Sequence, residues 1–247
     1  MDNVELVVFD LDGTLTEEKA QPSHNTMKLL KRLAGKNIPF TIASGKHFDD
    51  MKMIIKSLDL NIPVISSNGC EIWNKDNTLL KRNTLDTEDV QTVVLRAKLM
   101  GVHFRLSSEK KTFLWDEEPI CYHHYHWLRI VCKSKTKSIN NFFESFNDNS
   151  NFELDFTEWD RVDIHPFNTD KGTAIEYIIN KKNINPEKVV VVGDNYNDLS
   201  MFNRFQYSFV MNHAPNDVKA KAKIVLSSKN REEQIEEVID FIIKRVE

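Results

Sequence analysis

The run Leu6-Val7-Val8-Phe9-Asp10-Leu11-Asp12-Gly13-Thr14 decides how this chain is read. Four consecutive apolar residues read as a strand buried on both faces, as parallel strands covered by helices are. The strand then ends in two acids, two positions apart. An Asp-Gly pair can simply close a turn. What surrounds Asp10 and Asp12 must therefore say whether they carry chemistry.

Outward from that strand, the pattern alternates between two periods. Ser23 can cap a helix with Met27, Leu30, Leu33 and Ala34 on one face, stopping near Gly35. Residues 38–43 read as a second strand. Phe48, Met51, Ile54, Ile55 and Leu58 recur at helical spacing, and residues 63–66 form a third strand. The same grammar returns after residue 166. Ala174, Ile175, Ile178 and Ile179 mark a helix, Val189-Val190-Val191-Val192 is the most apolar strand of the chain, and 198–205 is a short helix. Strands at 207–211 and 224–226 follow, then a last helix carrying Ile235, Val238, Ile239 and Ile242. Strands alternating with helices imply an α/β fold, a doubly wound, mostly parallel sheet.

Residues 80–166 differ. Their strands, at 102–106, 111–115, 128–132, 152–156 and 161–164, are shorter and more alternating, with helices at 87–100 and 136–146. Trp115, Trp127 and Trp159, three of the four tryptophans, lie here. This reads as an α+β domain inserted into a core made of residues 1–79 and 167–247. The tryptophans are expected to pack the insert's own small core.

Composition excludes several function classes. The 247 residues are 40% hydrophobic and 28% charged, with a net charge of −4. That balance lacks the basic excess of a nucleic-acid binder. Cys70, Cys121 and Cys132 form neither a close-spaced metal pair nor an even disulfide framework, so a reducing cytoplasm is expected. The acidic start Met-Asp-Asn-Val-Glu-Leu is no signal peptide, and no apolar stretch is long enough to span a membrane.

The chemistry gathers at the carboxyl ends of the core strands. Asp10 and Asp12 follow the first strand, Ser44 and Gly45 the second, and Asp194, Asn197 and Asp198 the Val189–Val192 run. If the chain winds outward from strand one, returns and winds the other way, these ends meet at a topological switch point. Carboxylates so crowded need a counter-charge. Oxygen-only donors suit Mg²⁺, and the absence of His or Cys there argues against zinc. Lys171, in Asn168-Thr169-Asp170-Lys171-Gly172-Thr173, adds a fixed positive charge at a helix start. Together these make a phosphoryl-transfer site. Asp10 is the candidate nucleophile through an acyl-phosphate. Asp12 is the candidate acid and base, protonating the leaving oxygen and then deprotonating water. Simpler roles stay open at this stage: helix capping for Asp194 and Asp198, an N-cap for Ser44, and a solvated helix start for Lys171.

Four segments in order, Asp10-Leu11-Asp12-Gly13-Thr14, Ser44-Gly45, Lys171-Gly172 and Gly193-Asp194-Asn195-Tyr196-Asn197-Asp198, resemble the motifs of the haloacid dehalogenase superfamily. Ser67-Asn68-Gly69-Cys70-Glu71-Ile72, before the insert, is similar to its Cof-like branch, whose members carry a type-IIB α/β cap on the core. The resemblance implies that Asp10 is phosphorylated and that Asp12 is the general acid/base. It implies Mg²⁺ held by the Asp10 carboxylate, the Asp12 carbonyl and Asp194, with Asn197 and Asp198 supporting. Ser44, Gly45 and Lys171 would hold phosphoryl oxygens, and Lys46 and Asn68 are candidate substrate contacts. Lys46 departs from the arginine frequent in this branch, and a lysine cannot fork onto an anion. An acid at position 12 implies a phosphatase or phosphomutase rather than a dehalogenase.

The leading expectation is a Mg²⁺-dependent phosphatase of a small phosphorylated metabolite such as a sugar phosphate, monomeric or a weak homodimer. A phosphomutase of the phosphomannomutase type and a non-catalytic phosphometabolite-binding protein are the alternatives. His123, His124 and His126 match no standard closed metal site. On a strand, His124 and His126 would share one face.

Overall fold

Strand β1 (Leu6–Phe9) is buried at all four positions and lies between two parallel neighbours. Alternate residues feed two cores. Val7 and Phe9 pack into one apolar cluster, Leu6 and Val8 into the other, so neither face is wet. The structure, a computed structural model, describes residues 3–17, 21–58, 60–117, 121–135, 138–146, 151–158 and 160–245.

Helix α1 (His24–Gly35) starts where Ser23 Oγ accepts a hydrogen bond from the Thr26 amide at 3.0 Å. Its buried residues are Thr26, Leu30 and Leu33. Ala34, expected on that face, is exposed, and Met27 is half-buried. The buried seam therefore includes a threonine and runs round from the purely apolar line. Strand β2 (Phe40–Ile42) and helix α2 (Phe48–Leu58) follow; Phe48, Met51, Ile54, Ile55 and Leu58 of α2 are buried, while its sixth apolar residue, Met53, is exposed.

Strand β3 (Val64–Ser66) joins the parallel layer only through a bridge from Ala43 to Ile65. It then turns into a small three-stranded sheet with β4 (Glu71–Trp73) and β5 (Leu79–Arg82). The sequence reading contains neither β4 nor β5. They are three and four residues long, too short to show a period, and Leu80 of β5 is exposed.

The next segment holds α3 (Thr87–Leu99), β6 (His103–Ser108), β7 (Thr112–Leu114), β8 (Trp127–Lys133), α4 (Ser138–Glu144), β9 (Phe152–Glu158) and β10 (Arg161–Pro166). Its sheet runs β7-β6-β8-β10-β9, antiparallel throughout. Val90, Val94, Phe104, Trp127, Ile130 and Val162 sit in its core. Trp127 is fully buried, but Trp115 is not a core residue. It is 46% exposed and stacks on His103 with ring centroids 4.7 Å apart. Trp159 and residues 136–137 lie outside the described residues. The histidine-rich segment is not a strand. Residues 122–124 form a 3₁₀ turn, and His123, His124 and His126 are all exposed, so the expected alternation does not exist.

The chain closes with α5 (Lys171–Lys182), β11 (Val189–Gly193), α6 (Leu199–Arg204), β12 (Tyr207–Val210), α7 (Asn216–Lys219), β13 (Ile224–Val225) and α8 (Arg231–Ile243). The main sheet is parallel, in the order β13-β12-β11-β1-β2. β1 and β11 are neighbours paired from Leu6↔Val189 to Phe9↔Val192, which is the topological switch point. Two compact units result: 1–81 with 170–247, and 82–169. No helix among the described residues is long and apolar enough to cross a membrane.

Candidate active site

The register of β1 and β11 determines what meets beyond their ends. Phe9 lies beside Val192, so the next residues of each strand, Asp10 and then Asp194, emerge together. The Asp10 amide donates to Val192 O at 2.8 Å, and its side chain is buried.

Lys171 comes to the same place from the first turn of α5. Asp170 caps that helix, accepting from the Thr173 amide at 2.7 Å. Lys171 Nζ is fully buried and donates to Asp10 Oδ1 at 2.5 Å and Asp198 Oδ1 at 2.7 Å. It is no solvated helix start. A lysine beside the positive end of a helix is tolerated here because two carboxylates face it.

Asp198 is also a cap. Its Oδ2 accepts from the Asp194 and Asn195 amides at 2.8 and 3.0 Å, so its two oxygens divide between holding the loop and holding Lys171. Asp10, Asp194 and Asp198 each place a carboxylate oxygen within 4.8 Å of the others, all buried. The electrostatics follow. Burial pushes the Asp10 carboxyl well above its ordinary range, with Asp198 and Asp194 adding to the push and Lys171 opposing it. Asp198 is raised for the same first reason, burial. Burial by itself would lower the Lys171 ammonium, but Asp10 and Asp198 outweigh it and the group is held firmly charged.

Two of the three buried carboxylates, Asp10 and Asp198, thus share one ammonium. That leaves an excess of negative charge lined by oxygen donors. Such a donor set fits a hard divalent cation such as Mg²⁺, and Asp10 and Asp194 are the carboxylates placed to hold it.

Asp12 stands at the rim, partly exposed, with its carboxylate paired to Lys46 Nζ. Ser44 is buried after β2. Its Oγ accepts from the Lys46 amide at 3.2 Å, so it caps the 44–46 turn and not α2, which begins at Phe48. Asn197 Nδ2 donates to Asn68 Oδ1 at 3.0 Å. Asp10, Lys171, Asp194 and Asp198 are therefore in direct contact or close company, Asp12 pairs with Lys46, and Asn68 with Asn197.

Two further residues join the site: Thr14, present in the first motif but given no role by the sequence, and His213, which no motif contains. Thr14 Oγ1 donates to Asp194 Oδ1 at 3.1 Å, and His213 Nε2 lies 3.2 Å from Asp194 Oδ2. His213 follows β12, and Gly193↔Val210 puts the end of β12 beside the end of β11. The strand at 207–211 was legible, so the loop after it could have been searched for site residues as the other three were.

The family model described as haloacid dehalogenase-like hydrolase matches this chain in two overlapping segments, residues 7–127 and 116–239. The chain belongs to this family. As a haloacid dehalogenase-like hydrolase it is Cof-like, with the doubly wound α/β fold of that group. It is 24% identical over 225 residues to the 5-amino-6-(5-phospho-D-ribitylamino)uracil phosphatase YcsE of Bacillus subtilis, covering 90% of each chain. It is 25% identical over 248 residues to the HMP-PP phosphatase of Klebsiella pneumoniae, covering 87% of each. Among solved structures it resembles the subclass IIB sugar phosphatase BT4131, with a TM-score of 0.76 at 18% identity, covering 97% of this chain and 98% of that one. Family and relatives together make this hydrolase a phosphoric monoester hydrolase.

Proposed function

We propose that this hydrolase is a Mg²⁺-dependent phosphatase of a small phosphorylated metabolite, working through a phosphorylated Asp10. Residues 1–79 and 167–247 would be the catalytic core and 80–166 the cap that selects substrate. The observation that carries the reading is the buried group of three carboxylates around one lysine. It combines a nucleophile, a fixed cation and the charge deficit a divalent ion would fill. The relatives support the substrate class, since their names describe phosphatases of a ribitylaminouracil phosphate and of HMP-PP.

Asp10, Asp194 and the Asp12 carbonyl would hold Mg²⁺. When bound, it neutralises charge on the transferring phosphoryl oxygens and favours the ionised Asp10. In the first step an Asp10 carboxylate oxygen bonds to phosphorus as the ester P–O bond breaks, and Asp12 gives its proton to the departing oxygen. In the second, water attacks phosphorus, its proton passes to Asp12, and phosphate leaves with the Asp10 carboxylate restored. Lys171 holds Asp10 in line and, with Ser44 and Gly45, steadies the phosphoryl oxygens. Lys46 keeps Asp12 at the rim, where a leaving group arrives. A content of three cysteines in 247 residues suits a cytoplasmic setting.

The test is phosphate release from a panel of sugar phosphates, nucleotides and cofactor phosphates, with Mg²⁺, with EDTA, and with Asp10→Asn. Metal-dependent release that falls on the order of 10³-fold or more in Asp10→Asn is expected, as for loss of a nucleophile. Transfer of the phosphoryl group between positions of one sugar, without release, would replace this reading by a phosphomutase.

A further inference from the structure

Among the described residues, Ser67-Asn68-Gly69 is a run of three consecutive positive-φ positions. Its φ angles are 50°, 55° and 100°, three consecutive left-handed residues, two of them carrying side chains. Such a run persists only where its surroundings force it, and strain of this kind gathers at functional sites. Ser67 gains nothing locally from its own side chain: its Oγ is buried without a hydrogen-bond partner among the described residues.

What surrounds the turn explains it. The Ser67 amide donates to Lys46 O at 2.8 Å and the Asn68 amide to Ser44 O at 2.9 Å, so the turn grips both ends of the 44–46 loop. Asn68 Oδ1 also lies 2.9 Å from where a Cβ on Gly45 would stand. A side chain at 45 would therefore press on the very oxygen that accepts from Asn197. On the far side, Asn68 Oδ1 accepts from Asn197 Nδ2 in the acidic loop. A Cβ on Gly69 would run into the carbonyl of Asp170, the cap of α5, immediately before Lys171. One strained turn therefore touches three of the loops that make the site.

We infer that Asn68 is a positioning residue, not a substrate contact: it locks the 44–46 loop to the 194–198 loop so that the phosphoryl-holding and acid-holding halves of the site keep one geometry. Its side-chain oxygen accepts from Asn197 and its backbone amide donates to Ser44. A left-handed asparagine is tolerated where most residues are not. The kinetic arm of the test rests on the phosphatase reading. The exchange arm does not.

Three variants separate the possibilities. Asn68→Gly keeps the left-handed backbone and removes the amide. Asn68→Asp keeps the accepting oxygen. Asn197→Ala removes the donor from outside the strained turn, so one variant survives even if changes at 68 disturb folding. Amide hydrogen exchange of the free protein is followed over residues 193–200, together with kcat and KM for phosphate release. Asn68→Gly and Asn197→Ala should each speed exchange over 193–200 and lower kcat by about tenfold or more, with KM within about twofold. The double variant should be no worse than the poorer single one, because both break one link. Asn68→Asp should recover most of the rate. A rise in KM with kcat retained would make Asn68 a substrate contact and overturn the inference. Unchanged exchange over 193–200 would overturn it too. If the parent protein releases no phosphate, the phosphatase reading fails, while exchange still decides the lock.

Discussion

Each unit of this protein buries a cluster of acids and bases, and the two clusters are balanced in opposite ways. In residues 82–169, Asp163 on β10 meets two arginines: Arg129 pairs with its Oδ2, and Arg161 Nε donates to its Oδ1 at 2.7 Å. Burial would raise that carboxyl, but Arg129 and Arg161 outweigh it and hold it below its ordinary range. In the other unit, Asp10 and Asp198 share the Lys171 ammonium beside Asp194, and both are pushed up. One cluster satisfies its charge internally and serves structure. The other is left short of positive charge, which is what a site awaiting a cation and a phosphoryl group requires. A surplus of cations over acids closes a cluster, and a deficit leaves it open to chemistry.

The largest effect should come from removing the one cation of the open cluster. Lys171→Met leaves buried carboxylates without compensation and should cost about 3–5 kcal/mol in urea unfolding of the metal-free protein. A loss near zero would mean that the acids already share protons and that the contrast between the clusters is weaker than the geometry shows.

Adding the missing charge should do the reverse. Mg²⁺ at a hundredfold excess over its dissociation constant should stabilise the protein by about 2.7 kcal/mol, read as a rise in melting temperature. Asp194→Asn should abolish that rise and Asp163→Asn should leave it intact. A rise that survives in Asp194→Asn would place the ion elsewhere.

The smallest effect is the closed cluster's own, and its pH dependence has the opposite sign. Because Asp163 is lowered in the folded state, its contribution is fully present above the ordinary carboxylate range. It is lost as pH falls through its lowered folded value. Asp163→Asn should cost about 2 kcal/mol at neutral pH and flatten the acid limb of the stability curve. Asp10 is raised, so in metal-free protein its contribution is present below the ordinary carboxylate range and declines as pH climbs toward the raised value. Asp10→Asn should remove that decline. Denaturant midpoints from about pH 3 to pH 7 check both slopes; slopes of one sign would dissolve the comparison.

The open cluster was far more legible than the closed one. Asp10, Asp12, Lys171, Asp194 and Asp198 stand beside strongly apolar strands or open a helix, so their positions follow from strand ends. Asp163, Arg129 and Arg161 sit inside strands, where alternation says only that they face away from a core. Their meeting depends on the antiparallel register Asp163↔Val131. His213 carries no recognisable pattern, and Thr14, though part of the first motif, gives no sign in the sequence that it reaches Asp194. The hairpin of β4 and β5 was missed because strands of three and four residues have no period to read.

The linear chain by itself determined the alternation of strand and helix, the acids at the strand tips and the family to which they belong, because apolar period and strand-end placement are local properties. Only the tertiary structure decided which loops touch. The β1–β11 register brought Asp10 to Asp194, α5 buried Lys171 between two acids, and the left-handed turn at 67–69 tied Ser44, Asn197 and Asp170 into one site. Those links join residues from opposite ends of the chain. They follow from packing and register, which no short window of sequence contains.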